Sequence, residues 1–148
     1  MQLSTLLLRI SDSEYTLLNP HQQAVHQIVY DSRKVQDQDL YVAVQGTQVD
    51  GHDFIPQAIA QGAHTIVCEH LPASAEDLSK QYPDVAWIHT AHTPRLLAHL
   101  SAAFYGYPAE AMQMIGITGT NGKTTIAWLV SSLLNALKSP TAWIGTLG

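Results

Sequence analysis

The sequence has little cysteine, few basic residues and no long apolar run. Its single cysteine, Cys68, excludes an internal disulfide, which is typical of proteins from a reducing compartment. The position of Cys68 in the apolar run 64–68 indicates a small core residue on a strand. Seven Lys and Arg residues are outnumbered by twelve Asp and Glu residues, and the net charge is -5. A nucleic-acid backbone requires a basic surface, so we expect no nucleic-acid partner.

Membrane and metal-binding signals are also missing from the sequence. No apolar run reaches the roughly 18 residues that a membrane-spanning helix needs. The apolar residues 6–8 are not preceded by a basic leader or followed by a clear cleavage site, so we expect neither secretion nor a membrane partner. The eight histidines do not form the His-Glu-x-x-His pattern of a helical zinc site. These features favour a cytoplasmic globular protein without a metal cage built from its side chains.

The first ninety residues alternate between short strands and helices, which predicts an α/β fold. Apolar runs predict strands near 27–30, 40–44, 64–68 and 85–88. A helix over about 54–61 separates the second strand from the third, with Asp53 as its N-cap and Gly62 at its end. A further helix is predicted to begin near Pro94 and to end before Tyr107.

The most informative segment is the glycine-rich run 116–125, Gly-Ile-Thr-Gly-Thr-Asn-Gly-Lys-Thr-Thr. The apolar residues 112–117 predict a buried parallel strand before it. A helix is predicted from about Lys123, because six apolar residues fall on one helical face: Ile126, Leu129, Val130, Leu133, Leu134 and Leu137. A strand, a glycine-rich turn and a helix in this order are typical of a phosphate-binding loop. The strict pattern G-x-x-x-x-G-K-[ST] is not met, because Ile117 occupies the first glycine position, so the loop is a variant.

The residue types in this loop suit ATP and Mg²⁺ as cofactors. Gly119 and Gly122 can adopt backbone angles closed to other residues, and the helix that follows adds the positive end of its dipole. Lys123 offers charge to the β and γ phosphates, and the Thr124 hydroxyl can ligate Mg²⁺. We therefore predict Lys123 and Thr124 as catalytic and Thr124 as the metal ligand. The predicted cofactor-binding residues are Gly119, Thr120, Asn121, Gly122, Lys123, Thr124 and Thr125. The alternative is an ordinary glycine-rich turn with an incidental lysine.

The chain is predicted to contain two pieces, residues 1–90 and residues 91–148. The second piece has one strand, one helix and another apolar segment at 141–144, which cannot form the sheet that normally buries such a helix. We therefore expect more chain after Gly148. The predicted fold is a small N-terminal α/β domain followed by the first strand-loop-helix unit of a P-loop domain.

Segments from both pieces resemble the Mur ligases, the ATP-dependent amide-forming enzymes that build the peptide of bacterial peptidoglycan. In the first piece the resemblance lies in residues 31–34, 39–43, 46, 50–52, 54–55, 58–59 and 62–63. In the second it lies in residues 116–125 and in Ile-Gly-Thr-Leu-Gly at 144–148. These two segments of the second piece are similar to those of the family member that adds diaminopimelate or lysine to UDP-N-acetylmuramoyl-L-alanyl-D-glutamate. The member that adds D-alanyl-D-alanine shares the pattern of the first piece and is the alternative.

The resemblance implies that residues 1–90 bind the UDP end of the substrate and that residues 91–148 begin the ATP-binding central domain. Matching the family pattern residue by residue places Tyr30 and Ser32 at the uracil and ribose end. It places Thr47, Gln48 and Val49 in a loop that approaches the nucleotide. Without the resemblance, residues 31–33 read as a polar strand end and residues 50–51 as a turn.

The reaction implied by the resemblance transfers the γ-phosphoryl group of ATP to the D-glutamyl carboxylate. The amino group of a diamino acid then attacks the acyl phosphate, so UDP-N-acetylmuramoyl-dipeptide and a diamino acid are the expected substrates. The 148 residues alone are expected to be inactive, because the other catalytic residues of the family lie outside them. A second hypothesis is a UDP-sugar-binding or nucleotide-binding module without turnover.

Overall fold

A computed structural model describes residues 1–10 and 14–145 of the chain. The chain divides into two compact units, Met1–Pro108 and Ala109–Gly148. The division lies after the predicted boundary near residue 90, because the helix that begins at Thr93 contributes Leu96 and Leu100 to the core of the first unit. The assignment of UDP binding to residues 1–90 and of ATP binding to residues 91–148 stays a prediction.

The described residues of the first unit form four α-helices and a five-stranded sheet. The helices are α1 (Leu3–Leu7), α2 (Ile55–Ala60), α3 (Ala75–Gln81) and α4 (Thr93–Phe104). The strands are β1 (Thr16–Leu18), β2 (Ile28–Val29), β3 (Asp39–Val42), β4 (Ala63–Cys68) and β5 (Ala86–His89), in the order β1-β5-β4-β3-β2. β2, β3, β4 and β5 run parallel, and β1 pairs antiparallel with β5. The predicted α/β class, the four predicted strands and the helix near Pro94 are confirmed.

Helices cover both faces of the sheet, which explains why its central strands are buried almost throughout rather than on alternate residues. Leu40 and Ile88 lie in a core shared with α1 and α4. Tyr41 and Trp87, their neighbours in sequence, lie in a second core shared with α2 and α3. Cys68 is fully buried in this second core, as its apolar surroundings in the sequence predicted.

The segment before α2 differs from the helix predicted over 54–61. Gly51–Phe54 form a 3₁₀ turn, whose N-cap Asp50 accepts a hydrogen bond from the backbone N–H of His52 at 2.9 Å. α2 begins after this turn, and no side chain caps its first N–H groups. The prediction of Asp53 as the N-cap is wrong, because the chain starts to coil one turn earlier and Asp50 takes the capping role. Gly62 follows the helix with φ at 105°, as predicted.

In the second unit, α5 (Lys123–Ala136) begins where the sequence predicts. The strand predicted over 112–117 is absent from the structure, in which Met114 and Ile115 are 70% and 57% exposed. A parallel strand is stabilised by hydrogen bonds to its neighbours, and the described residues of this unit contain no strand to pair with it. The apolar residues 141–144 also lack regular structure, and residues 146–148 lie outside the described part.

Four of the six residues of the apolar face predicted for α5 are exposed in the structure, and Val130 and Leu134 are half-buried. The row of this face at four-residue spacing consists of Leu129, Leu133 and Leu137, which are 52%, 62% and 70% exposed. Among residues 1–10 and 14–145, no helix has both the length and the apolar character that crossing a bilayer requires.

Candidate nucleotide-binding sites

The loop before α5 contains two glycines whose backbone angles other residues rarely adopt. Gly122, the N-cap of α5, has φ at 78° and ψ at -1°, and Gly119 has φ at 152°. A Cβ atom on Gly122 would have no heavy atom within 4 Å. The backbone angle, rather than crowding, therefore requires glycine at this position.

Lys123 is the first residue of α5, and its side chain folds back over the loop. Its Nζ donates a hydrogen bond to the carbonyl oxygen of Gly119 at 2.5 Å and another to that of Thr120 at 3.3 Å. The side chain is exposed, so an anion can reach the ammonium group. Phosphate oxygens form stronger hydrogen bonds with an ammonium group than neutral carbonyls do, so this lysine is able to exchange partners.

The first turn of α5 presents main-chain N–H groups beside this lysine. The first hydrogen bond of the helix runs from the N–H of Ile126 to the carbonyl of Gly122 at 2.9 Å, and no side chain caps the helix. N–H groups at the positive end of a helix of this length form a site for an anion. Thr124 is half-buried and Thr125 is exposed in the same turn. The structure thus brings the predicted cofactor-binding residues 119–125 into one continuous junction of loop and helix.

The residues present fit a magnesium ion that the phosphates of a nucleotide help to hold. Within the described ranges, no group of three or more His, Cys, Asp and Glu side chains is placed to bind a metal. Thr124 offers one hydroxyl oxygen, which is the type of ligand that Mg²⁺ accepts beside phosphate oxygens and water.

In the first unit, residues 44–51 form a tight hairpin after β3. Gln45 and Asp50 pair across it as an antiparallel bridge. The N–H of Gly46 donates to the carbonyl of Val49 at 3.0 Å, and the N–H of Gly51 donates to that of Val44 at 2.9 Å. The predicted substrate residues Thr47, Gln48 and Val49 lie at its exposed tip.

Close backbone contacts explain the two glycines of the 44–51 hairpin. A Cβ atom on Gly46 would lie 2.8 Å from the carbonyl oxygen of Val49, and one on Gly51 would lie 2.7 Å from the backbone N and O of Val44. The Tyr41 hydroxyl donates to the carbonyl of Gly51 at 2.9 Å, which ties the hairpin to β3. Burial raises the pKa of Tyr41 to about 12, so this hydroxyl keeps its proton.

Tyr30 and Ser32, the other predicted substrate residues, follow the end of β2. The Tyr30 side chain is 68% exposed and free to stack on a planar ligand. Ser32 is only 7% exposed, and its hydroxyl donates to Oε1 of Gln57 at 3.4 Å, while its oxygen can still accept a hydrogen bond. Asp31 and Arg33 on either side of Ser32 form a bidentate pair, with nitrogen to oxygen distances of 2.9 and 2.8 Å.

The five predicted substrate residues leave the sheet at a common edge. β2 and β3 are parallel neighbours, with Ile28 opposite Leu40 and Val29 opposite Tyr41. Tyr30 and Ser32 follow β2, and the 44–51 hairpin follows β3, so both segments start at the carboxyl edge. Ligands of open α/β sheets bind at the carboxyl ends of the strands, so this is the edge at which a nucleotide is expected.

A series of hydrogen bonds that the sequence does not predict joins Asp50 of the hairpin, through His52, to Glu69. Oδ1 of Asp50 accepts hydrogen bonds from the backbone N–H of His52 at 2.9 Å and from its Nδ1 at 2.6 Å. Nε2 of His52 in turn accepts the N–H of Glu69, directly after β4, at 2.9 Å. The hydrogen bonds from His52, the backbone one first, lower the pKa of Asp50.

Glu69 extends this series of hydrogen bonds to the next elements. Its Oε1 accepts the N–H and the hydroxyl of Thr93 at 2.7 and 2.9 Å, which holds the start of α4 and lowers the pKa of Glu69. Its carbonyl oxygen accepts a hydrogen bond from Nε2 of His89 at 3.0 Å. In the sequence, Asp50 and His52 belong to the family-like pattern, but nothing there indicates a partner 17 residues away.

These features define an α/β protein with polar loops at the carboxyl edge of a parallel sheet and a glycine-rich loop at the start of a helix. Residues 24–105, more than half of the chain, match the Mur ligase family, catalytic domain. The chain belongs to the Mur ligase family, as its sequence pattern predicted. The matched range includes Tyr30, Ser32 and the 44–51 hairpin, and the loop before α5 lies outside it.

Two relatives and one solved structure add detail. The chain is 45% identical over 119 residues to the UDP-N-acetylmuramoyl-L-alanyl-D-glutamate--2,6-diaminopimelate ligase of Chlorobaculum tepidum. This match covers 80% of this chain and 22% of that protein. It is 37% identical over 142 residues to the ligase of the same name from Clostridium botulinum, covering 96% of this chain and 29% of that protein. The MurF ligase of Thermotoga maritima in complex with ADP is similar at a TM-score of 0.54 and 28% identity, over 74% of this chain and 23% of that one. The chain spans less than a third of the length of these proteins.

Proposed function

We propose that this chain carries the UDP-substrate contacts and the ATP-phosphate loop of an ATP-dependent ligase. The reaction adds meso-diaminopimelate, or L-lysine, to UDP-N-acetylmuramoyl-L-alanyl-D-glutamate through an acyl phosphate during synthesis of the peptidoglycan precursor. The observation that carries the proposal is the 45% and 37% identity to two diaminopimelate ligases. In this proposal residues 1–90 bind the UDP end of the substrate and residues 91–148 begin the ATP-binding part.

The loop before α5 would act by positioning phosphates rather than by covalent chemistry. Lys123 would exchange the carbonyl oxygens of Gly119 and Thr120 for oxygens of the β and γ phosphates. The N–H groups of the first turn of α5 would hold the same phosphates. Thr124 would ligate Mg²⁺, which neutralises charge on the transferred phosphoryl group when bound. The ADP in the similar MurF ligase supports a nucleotide ligand for this family member.

The carboxyl edge of the sheet would hold the uridine end of the substrate. The exposed ring of Tyr30 can stack on uracil, and the oxygen of Ser32 can accept a ribose hydroxyl. The tip of the 44–51 hairpin offers main-chain groups and the amide of Gln48 to the nucleotide. A ligase that adds D-alanyl-D-alanine is the second candidate, because the similar solved structure is a MurF ligase and MurF is the D-alanyl-D-alanine-adding member of the family.

A phosphate-release assay on the complete gene product tests the reaction. We expect phosphate only when ATP, UDP-N-acetylmuramoyl-L-alanyl-D-glutamate and a diamino acid are all supplied, because the acyl phosphate needs the acceptor carboxylate. Phosphate release that ignores the UDP substrate would remove the ligase proposal. Release that requires D-alanyl-D-alanine and a UDP-tripeptide instead would favour the second candidate.

The same assay tests Lys123. Lys123→Ala should lower kcat/KM by about 100-fold or more, because the charge that stabilises the developing phosphate charge is lost. The matched control is Lys138→Asn, which removes another exposed lysine charge after the end of α5. Asparagine tolerates the φ of 62° at residue 138, so this control should keep its fold and its turnover. Equal turnover of Lys123→Ala and the control would reject the assignment of Lys123.

A further inference from the structure

The hydrogen bonds of His52 fix the protonation state of its ring. A backbone N–H can only donate, so Nε2 of His52, which lies 2.9 Å from the N of Glu69, must carry a lone pair. Nδ1 lies 2.6 Å from a carboxylate oxygen of Asp50 and is therefore the nitrogen that carries the proton. The ring is thus neutral and protonated at Nδ1, and it links the loop that contains Asp50 to the end of β4.

Among the residues that the structure describes, few other hydrogen bonds link the 44–51 hairpin to the sheet. Its own hydrogen bonds join Gly46 to Val49 and Gly51 to Val44, and these close the hairpin without anchoring it. The hydroxyl of Tyr41 anchors it to β3 through the carbonyl of Gly51. The ring of His52 provides a second anchor, to β4, on the strand beyond β3.

We propose that His52 is a positioning residue for the UDP substrate: its neutral ring holds the 44–51 hairpin at the carboxyl edge so that Thr47, Gln48 and Val49 meet the nucleotide. The proposal rests on the proposed function of the hairpin tip. His52 itself does not touch the substrate. It acts through Asp50 and the backbone of the hairpin.

A neighbouring histidine provides the control. The exposed ring of His70 lies 5.6 Å from the ring of His52, so His70→Gln makes the same change of residue type beside it.

Three substitutions separate the two hydrogen bonds of the ring. His52→Gln places an amide oxygen near the position of Nε2 and can still accept the N–H of Glu69. His52→Asn places an amide near the position of Nδ1 and can still donate to Asp50, but it is too short to reach Glu69. His52→Ala loses both hydrogen bonds.

The test is a calorimetric titration of UDP-N-acetylmuramoyl-L-alanyl-D-glutamate into the 148-residue chain near neutral pH. His52→Asn should bind about 2- to 12-fold more weakly than the wild type, as expected for one ordinary hydrogen bond, and His52→Ala should bind at least as weakly as His52→Asn. His52→Gln should recover most of the affinity, and His70→Gln should bind as the wild type does.

Thermal melting of each variant shows whether it is folded at the assay temperature. If His52→Ala is unfolded, the comparison of His52→Gln with His52→Asn decides. Equal affinities of these two variants would overturn the role of His52. A wild-type chain that fails to bind would instead overturn the proposed function of the hairpin, so the two failures are distinct.

Discussion

Asp31 and Arg33 form a local ion pair around the buried Ser32. The guanidinium donates to both carboxylate oxygens, and the backbone N–H of Arg33 donates to Oδ1 at 3.1 Å. These contacts close the short 3₁₀ turn Ser32–Lys34, so they determine where the serine hydroxyl lies relative to β2. The hydrogen bonds from the Arg33 side chain lower the pKa of Asp31 from 3.8 to about 2.

Arg33→Ala should raise the pKa of Asp31 toward its ordinary value, because the side-chain hydrogen bonds are the largest cause of the shift. A lowered pKa means that the pair is intact above the ordinary pKa of 3.8 and is lost as the pH falls toward about 2. An NMR titration of the Asp31 carboxyl carbon measures the change. Lys34→Ala is the control and should shift this pKa much less, since the charge of Lys34 is the smallest cause of the shift. An unchanged pKa in Arg33→Ala would contradict the pairing.

The 44–51 hairpin depends at the scale of an element on close backbone contact. Its two ends meet at Gly51 and Val44, where the space beside the Cα of Gly51 is filled by backbone atoms at 2.7 Å. Backbone atoms cannot move aside as a flexible side chain can. Any residue other than glycine must therefore open the base of the hairpin.

Gly51→Ala should lower the free energy of unfolding of the first unit by about 1 to 3 kcal/mol, as expected when extra atoms are forced into a packed site. Thr47→Ala at the exposed tip is the matched control and should change this free energy by less than about 0.5 kcal/mol. Urea denaturation followed by circular dichroism gives both values. Equal stabilities of the two variants would show that the hairpin base tolerates a side chain.

At the scale of the whole molecule, the two units differ in how far they bury their apolar side chains. In the first unit the sheet is enclosed by two cores, whereas α5 in the second exposes the row Leu129, Leu133 and Leu137. Contiguous exposed apolar rows bind apolar dyes more readily than single exposed residues do.

Leu133→Gln should therefore reduce the fluorescence of the dye ANS bound to the 148-residue chain, because it interrupts the middle of that row. The matched control is Leu8→Gln, since Leu8 is 86% exposed and belongs to the first unit rather than to the row. We expect little change in fluorescence from the control. A Leu133→Gln chain with the dye signal of the wild type would indicate that the row is covered.

Much of the fold of the first unit is predictable because its strands are short apolar runs bounded by polar residues. β2, β3, β4 and β5 carry this signal, whereas β1 is an edge strand with no fully buried residue. The sequence does not predict α3, because Leu78 is the one buried residue of this helix and most of its other residues are polar. The prediction of a strand over 112–117 is wrong for the opposite reason. The local signal is strong, but strand formation depends on partner strands that no local pattern specifies.

The candidate sites also differ in how far the sequence predicts them. The residues of the glycine-rich loop are contiguous, so their types and spacing are enough to place Lys123 at the start of a helix. The link from His52 to Glu69 joins residues from two different segments of the chain, and only the parallel packing of β3 and β4 brings them together. The burial of Ser32 and its contact with Gln57 depend on the fold in the same way.

Glu69 contacts three elements, but only one of these contacts uses its side chain. Its backbone N–H holds His52, its carbonyl holds His89, and its carboxylate alone holds Thr93. Engineering of position 69 would therefore act selectively: replacing its side chain would loosen the start of α4 while the backbone still anchors the hairpin. Libraries that vary this residue would change the position of the start of α4 and keep the hydrogen bond that anchors the hairpin.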